Sequence, residues 1–178
     1  SVSAKYRSAY ADLHVDAIDV TNMVASGESL DLRWIVGNTG NPSFNGRMTE
    51  KISLVSTADT NDVRIIASPV FEGVIERDGT TGRNASVDVP LKGWEGAWYV
   101  CIETAVNPSM QEYAVNNVTT TVETVEITAV PLPNLRVDAV LGDTNLIPGE
   151  TAMFSFVTTN DGVATASAPW TDRIYFES

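Results

Sequence analysis

Alternation of apolar and polar side chains runs through most of the chain. Leu30, Leu32, Trp34 and Val36 fall on one face of an extended segment, and Asp31 and Arg33 on the other, the period of two that marks a half-buried strand. Leu13, Val15 and Ala17 alternate more weakly with Asp12, His14 and Asp16. Met48, Glu50, Ile52 and Leu54 share a face over residues 48–56. Residues 63–75 read as one or two strands broken near Pro69, because proline cannot donate to a ladder. Ala85, Val87 and Val89 alternate before Pro90, and residues 97–105 form an apolar run suited to the middle of a sheet. Residues 118–127 alternate with a shift of phase, which predicts a bulge or a change of partner. Turn chemistry separates these runs at Ser26-Gly27-Glu28, Asn38-Thr39-Gly40, residues 57–62 and Asp78-Gly79-Thr80-Thr81-Gly82. No segment has a helical period. Seven or so strands in roughly 118 residues predict an all-β fold, an immunoglobulin-like antiparallel β-sandwich.

Comparing the chain with itself shows a repeat. Residues 12–56 align with 134–178 at a constant offset of 122 without a gap. Leu13/Leu135, Val15/Val137, Asp16/Asp138, Ala17/Ala139, Gly27/Gly149, Glu28/Glu150, Asn38/Asn160, Gly40/Gly162, Thr49/Thr171, Ile52/Ile174 and Ser56/Ser178 are identical, 11 of 45 positions. They fall on turn and strand landmarks, as a structural repeat requires. The expected organisation is a leader or the end of a preceding repeat over 1–10, a domain over 11–129, a linker at Val130-Pro131-Leu132-Pro133, and the N-terminal part of a second repeat over 134–178. Two prolines in four residues make a short, stiff, extended connector. The second copy is expected to be an incomplete, three-strand piece. It is therefore completed either by further sequence or by strands from another chain, which would join copies into a filament.

Composition narrows the field. Val, Thr and Ile number 22, 19 and 10 among 178 residues, against 3 Lys and 1 Gln, a bias towards strands. A net charge of -12 argues against a nucleic-acid partner. No apolar run approaches the roughly 20 residues of a membrane helix. The start is not basic and then apolar, so mature or internal sequence is expected there. Cys101 is the only cysteine and His14 the only histidine, which excludes an internal disulfide, a multi-thiolate zinc site and a His-pair metal site.

The candidate chemistry is sparse. His14 aligns with Arg136 and reads as an exposed polar site, with no G-x-S-x-G nucleophile motif to serve as its partner. Cys101 lies in the most apolar strand and reads as a buried, inert thiol. Trp34 aligns with Phe156 and belongs to the core. Trp94, followed by Trp98 and Tyr99, has two readings: a plug at one end of the sandwich, or a platform on which a glycan stacks. Asp59 and Asp62, and the recurring pair Asp16 and Asp138, likewise have two: solvated charge, or calcium ligands, which must supply six to eight oxygens. Asn84-Ala85-Ser86 and Asn117-Val118-Thr119 match the glycosylation sequon.

In their order along the chain, ADLHVDAIDV (11–20), ASGESLDLRWIVGNTG (25–40), MTEKISLVSTADTND (48–62), VPLKGWEGAWYVCIETAVN (89–107) and EYAVNNVTTTVETVEI (112–127) resemble CARDB, the cell adhesion related domain found in bacteria. The second copy adds PNLRVDAV (133–140), IPGETAMFSFVTTNDG (147–162) and WTDRIYFES (170–178), and the first departs at NGRMTEKI, where Trp-Thr-Asp is usual. The resemblance implies an immunoglobulin-like module, often in tandem, in secreted or surface proteins of bacteria and archaea. It also implies a spacer or adhesion role and no catalytic residues. The expected function is that of a non-catalytic extracellular repeat with other copies, glycans or surface proteins as partners. The alternative is a carbohydrate-binding or accessory module of a secreted hydrolase.

Overall fold

A computed structural model describes residues 10–106, 116–143, 145–167 and 169–175. The proposed leader up to residue 9, residues 112–115 of the fifth motif and the Ser56/Ser178 match lie outside the described residues. The chain divides into two compact units, 1–129 and 130–178.

The first unit is an all-β immunoglobulin-like sandwich of two sheets. One contains β1 (Leu13–Val20), β3 (Ser29–Asn38) and β7 (Thr80–Asp88) in the order β1-β3-β7. The other contains β2 (Met23–Ala25), β4 (Phe44–Ser56), β5 (Val63–Ala67), β8 (Gly96–Val106) and β10 (Val125–Thr128) in the order β2-β10-β8-β4-β5. Two short strands complete it: β6 (Val70–Ile75) pairs with β4, and β9 (Val118–Thr120) pairs with β8. The apolar phases read from the sequence face one another across the interior. Leu13, Val15, Leu30, Leu32, Trp34 and Val36 come from the first sheet, and Met48, Ile52, Leu54, Val100, Ile102 and Ile127 from the second. Each fully buried aliphatic or aromatic side chain contributes roughly 2 kcal/mol.

Several expectations change. The sandwich is not purely antiparallel: β2 runs parallel to β10, Met23–Ala25 pairing with Glu126–Thr128. A three-residue strand has too few positions to show a period, so it left no mark in the pattern. The turn expected over Asp78–Gly82 is confined to its first two residues. β7 starts at Thr80 and runs straight through Gly82, which pairs with Ile35. β4 starts four residues before Met48, at Phe44. The phase shift in 118–127 is a break, with β9 ending at Thr120 and β10 starting at Val125.

The second unit contains β11 (Leu135–Gly142) and β12 (Phe154–Asn160), which pair antiparallel. Of the three strands expected, two are present among the described residues. Their register reproduces that of β1 and β3. Leu13 faces Asn38 and Leu135 faces Asn160; Val20 faces Leu32 and Gly142 faces Phe154. The register slips once in each, between Val15 and Ala17 and between Val137 and Ala139. Gly27 and Gly149 turn the chain with φ of 86° and 87°, a left-handed conformation that favours glycine.

Candidate functional site

Three clusters of polar side chains stand out, beginning inside the sandwich. Glu50 on β4 is 0% exposed, and its inward phase among Met48, Ile52 and Leu54 puts a carboxylate in an apolar row. Arg83 on β7 reaches across from the other sheet. Its Nε donates to Oε1 at 2.8 Å and its Nη2 to Oε2 at 3.1 Å. Trp34 Nε1 donates to the same Oε1 at 3.3 Å. Arg83 also donates to the Val70 carbonyl at 3.0 Å and lies 5.9 Å from the Trp34 ring and 5.3 Å from Phe71. The carboxylate is thus held by three donors, as a buried charge requires. Sequence reasoning placed Glu50 on this face but missed its role. The signal was available: a charge inside an apolar row calls for a cation, and Arg83 interrupts the inward row of Thr81 and Ala85.

The second cluster surrounds Trp94 at one end of the unit. Arg64 on β5 holds Asp62 with both nitrogens, Nε to Oδ1 at 2.9 Å and Nη2 to Oδ2 at 2.7 Å, and also donates to the Gly93 carbonyl. Its guanidinium lies 4.8 Å from the Trp94 ring centre and 4.7 Å from that of Trp98, within cation–π range. The two indoles tilt against each other at 5.9 Å, and Trp98 Nε1 donates to the Trp94 carbonyl at 2.7 Å. Trp94 is half-buried against the core. A sugar stacks on an open ring face, and here Arg64 lies over the ring. The hydrogen bond from Arg64 holds the Asp62 carboxyl below its ordinary value, and the same bond raises Arg64. Asp59 Oδ1 accepts from the Asn61 backbone and side-chain amides, at 2.9 and 3.0 Å. The acidic turn is therefore tied to itself.

The third cluster sits at the repeated register slip. His14 Nε2 pairs with Asp16 Oδ1 at 2.7 Å. A side chain on the facing Gly37 would meet both groups at 2.9 Å, so the glycine leaves the space they occupy. His14 Nδ1 is buried and has no hydrogen-bond partner among the described residues. The reading of His14 as simply exposed is corrected: its side chain is 20% exposed. In the second unit Arg136 pairs with Asp138 at 2.9 Å and also with Asp161. Thr159, at the position of Gly37, donates its hydroxyl to Asp138. Both units keep a cationic or chargeable partner beside the recurring aspartate. Asp16, Asp62 and Asp138 each have a cationic or chargeable partner, and Asp59 is bonded by the neutral amides of Asn61. Among the described residues, no three His, Cys, Asp or Glu side chains form a metal-binding group.

Two further positions differ from expectation or from each other. Cys101 is half-buried rather than buried. Val100 and Ile102 point inwards, so Cys101 takes the outer face of β8, opposite Ser53 and Thr120. Of the sequons, Asn84 is exposed. Asn117 is buried, with Nδ2 donating to the Thr104 carbonyl at 3.3 Å. A groove of about 440 Å³ runs between β1 and residues 119–123, lined by Asp16, Ile18, Val20, Thr119, Thr121 and Val122 among others. Its lining holds hydroxyls and carboxylates and no basic group.

No protein-family model and no curated protein matches the chain. Solved structures do. The solution NMR structure of a CARDB domain from Pyrococcus furiosus is similar with a TM-score of 0.48 and 15% identity, covering 67% of this chain and 96% of that one. The crystal structure of the CARDB domain of that protein in complex with di-metal ions gives 0.47 and 13%, covering 70% and 95%. A β-glucosidase from Listeria innocua in complex with isofagomine gives 0.44 and 10%, with 68% of this chain matching only 17% of the enzyme. The likeness to these proteins is one of fold outline, and the β-sandwich assignment rests on the strand pairing and core of the chain itself.

Proposed function

We propose that the chain is a non-catalytic, extracellular immunoglobulin-like repeat segment of a surface, adhesion or matrix protein. It spaces or assembles binding surfaces rather than transforming a substrate. The observation that carries this reading is the common register of β1–β3 and β11–β12 at an offset of 122. A segment built twice on one plan, with Val130-Pro131-Leu132-Pro133 between, suits an array of like modules. The polar clusters support it further. Glu50, Arg83, Arg64 and Asp62 spend their bonding capacity on one another, as structural residues do.

Two measurements test the reading. Antibody raised against the chain, applied to intact cells of the source organism, labels them and loses the label after external protease. Label confined to the lysed fraction overturns the surface assignment. A glycan array probed with the whole chain separates the spacer from the carbohydrate-binding module. Binding that Trp94→Ala abolishes establishes the module, and its absence leaves the spacer.

A further inference from the structure

The outer face of the first sheet holds a hollow that none of the clusters above uses. Its floor is Ile35 on β3, 41% exposed. Ala17 of β1 and Gly82 of β7 pair with Ile35 on either side. The aliphatic side chain thus stands between an alanine and a position with no side chain. A Cβ at Gly82 would meet nothing within 4 Å. The next row along the same face is Asp19, Arg33 and Asn84. These six residues, with Trp34 and Arg83, line an open space of about 410 Å³. An apolar floor with a few polar groups at the rim is the composition of a small-ligand seat.

Asn84 belongs to the sequon Asn84-Ala85-Ser86. Residues 80, 82, 84, 86 and 88 are the exposed phase of β7, so the Asn84 amide and the Ser86 hydroxyl stand on one face. Both groups are required of a glycosylation acceptor. The other sequon differs chemically. Asn117 is 6% exposed and its Nδ2 donates to the Thr104 carbonyl, so a sugar on that nitrogen would cost a buried hydrogen bond. β7 also ends its sheet among the described residues, which leaves one flank of Asn84 clear of a neighbouring strand.

We propose that Asn84 carries an N-linked glycan whose first sugar lies in the hollow, over Ile35 and Gly82. The bond formed joins Asn84 Nδ2 to the anomeric carbon of the sugar. The bond broken joins that carbon to a lipid-linked diphosphate donor. The diphosphate leaves with the bonding electron pair, and the amide gives up one proton to the transferase. Such transfer takes place on the secreted side of a membrane, so the site rests on the extracellular reading above. Asn84 and Gly82 are two residues apart, about 7 Å along a strand, within reach of one sugar ring on an asparagine side chain. The carbon–hydrogen face of the ring covers Ile35, and its hydroxyls meet the Arg33 guanidinium and the Asp19 carboxylate at the rim.

The test is peptide mapping by mass spectrometry of the chain isolated from its source organism. The expected result is a sugar mass on the Asn84 peptide and none on the Asn117 peptide, lost in Asn84→Gln and kept in Ser86→Thr. Enzymatic removal of the glycan is expected to lower the melting temperature of the first unit. In Gly82→Leu, where a side chain already fills the seat, removal leaves the temperature unchanged. An unmodified Asn84 overturns the proposal, as does a glycan on Asn117. A melting temperature that glycan removal does not move in the native chain overturns the seat over Ile35. An unmodified Asn84 in a chain that labels at the cell surface rejects this site while leaving the extracellular reading in place.

Discussion

Asn38 and Asn160, 122 residues apart, make the same three hydrogen bonds in their own units. Asn38 Oδ1 accepts from the backbone amides of Asp12 and Gly40, both at 3.0 Å, and Nδ2 donates to the Pro42 carbonyl at 3.0 Å. Asn160 Oδ1 accepts from Asn134 at 2.9 Å and Gly162 at 3.0 Å, and Nδ2 donates to Ala164 at 2.7 Å. Each asparagine pins the chain entering the first strand to the turn leaving the next. Asn38 adds a fourth bond, to the Ile75 carbonyl at 3.1 Å. Asn38→Ala strands buried backbone groups and is expected to lower the stability of the first unit by about 2–4 kcal/mol, read by urea denaturation. Asn38→Asp keeps the acceptor and loses the donor, and falls between.

Gly40 is required beside it for a steric reason. A Cβ there would sit 2.3 Å from the Tyr10 carbonyl oxygen and 2.6 Å from the Asp12 nitrogen; at Gly162 the distances to Leu132 oxygen and Asn134 nitrogen are both 2.4 Å. Backbone cannot yield as a flexible side chain does. Gly40→Ala is expected to unfold the first unit at a clearly lower temperature, whereas Gly82→Ala, which meets nothing within 4 Å, shifts it little. Differential scanning calorimetry of the pair checks this.

The Glu50–Arg83 pair behaves as a unit. Arg83→Met alone leaves a carboxylate buried without its cation and is expected to destabilise by about 3–5 kcal/mol. Glu50→Leu combined with Arg83→Met removes both charges and recovers most of that loss. Additive single effects in the double-mutant cycle would contradict the coupling.

Acid acts through Asp62. Arg64 holds its carboxyl below the reference value of 3.8, so the folded form gives up the proton more readily than the unfolded chain. The stabilisation is therefore complete above that reference and disappears as the pH falls through the lower folded value. The pair is half-buried and reached by solvent, so salt screens it in part. The difference in melting temperature between the native protein and Asp62→Asn is expected near neutrality and low salt, and to vanish in strong acid.

Local patterning made the interior legible, and what pairing over distance decides stayed hidden. Met48, Glu50, Ile52 and Leu54 could be placed on one face because a strand has a period of two. That Arg83 answers Glu50 depends on two sheets packing together. Gly82 looked like turn chemistry because Asp78-Gly79 precedes it, yet the ladder to Ile35 carries the strand through. β2 is held by parallel pairing with β10, more than 100 residues away, which no local period records. Asn38/Asn160 and Gly40/Gly162 were legible as shared landmarks because they do the same backbone work in each unit. Trp94 has two readings, a plug and a glycan platform, and nothing near it in sequence announced that Arg64 would lie over its ring.

On our proposal, residues 13–38 and 135–160 are one structural element used twice. Replacing the first segment with the second inside the whole chain tests this directly. Urea denaturation of the resulting first unit is expected to remain a single cooperative transition with a lower midpoint, because Ala152, Phe156 and Thr158 fill less of the core than Leu30, Trp34 and Val36. Loss of the cooperative transition, with amides of β4 and β8 exchanging freely, would contradict it.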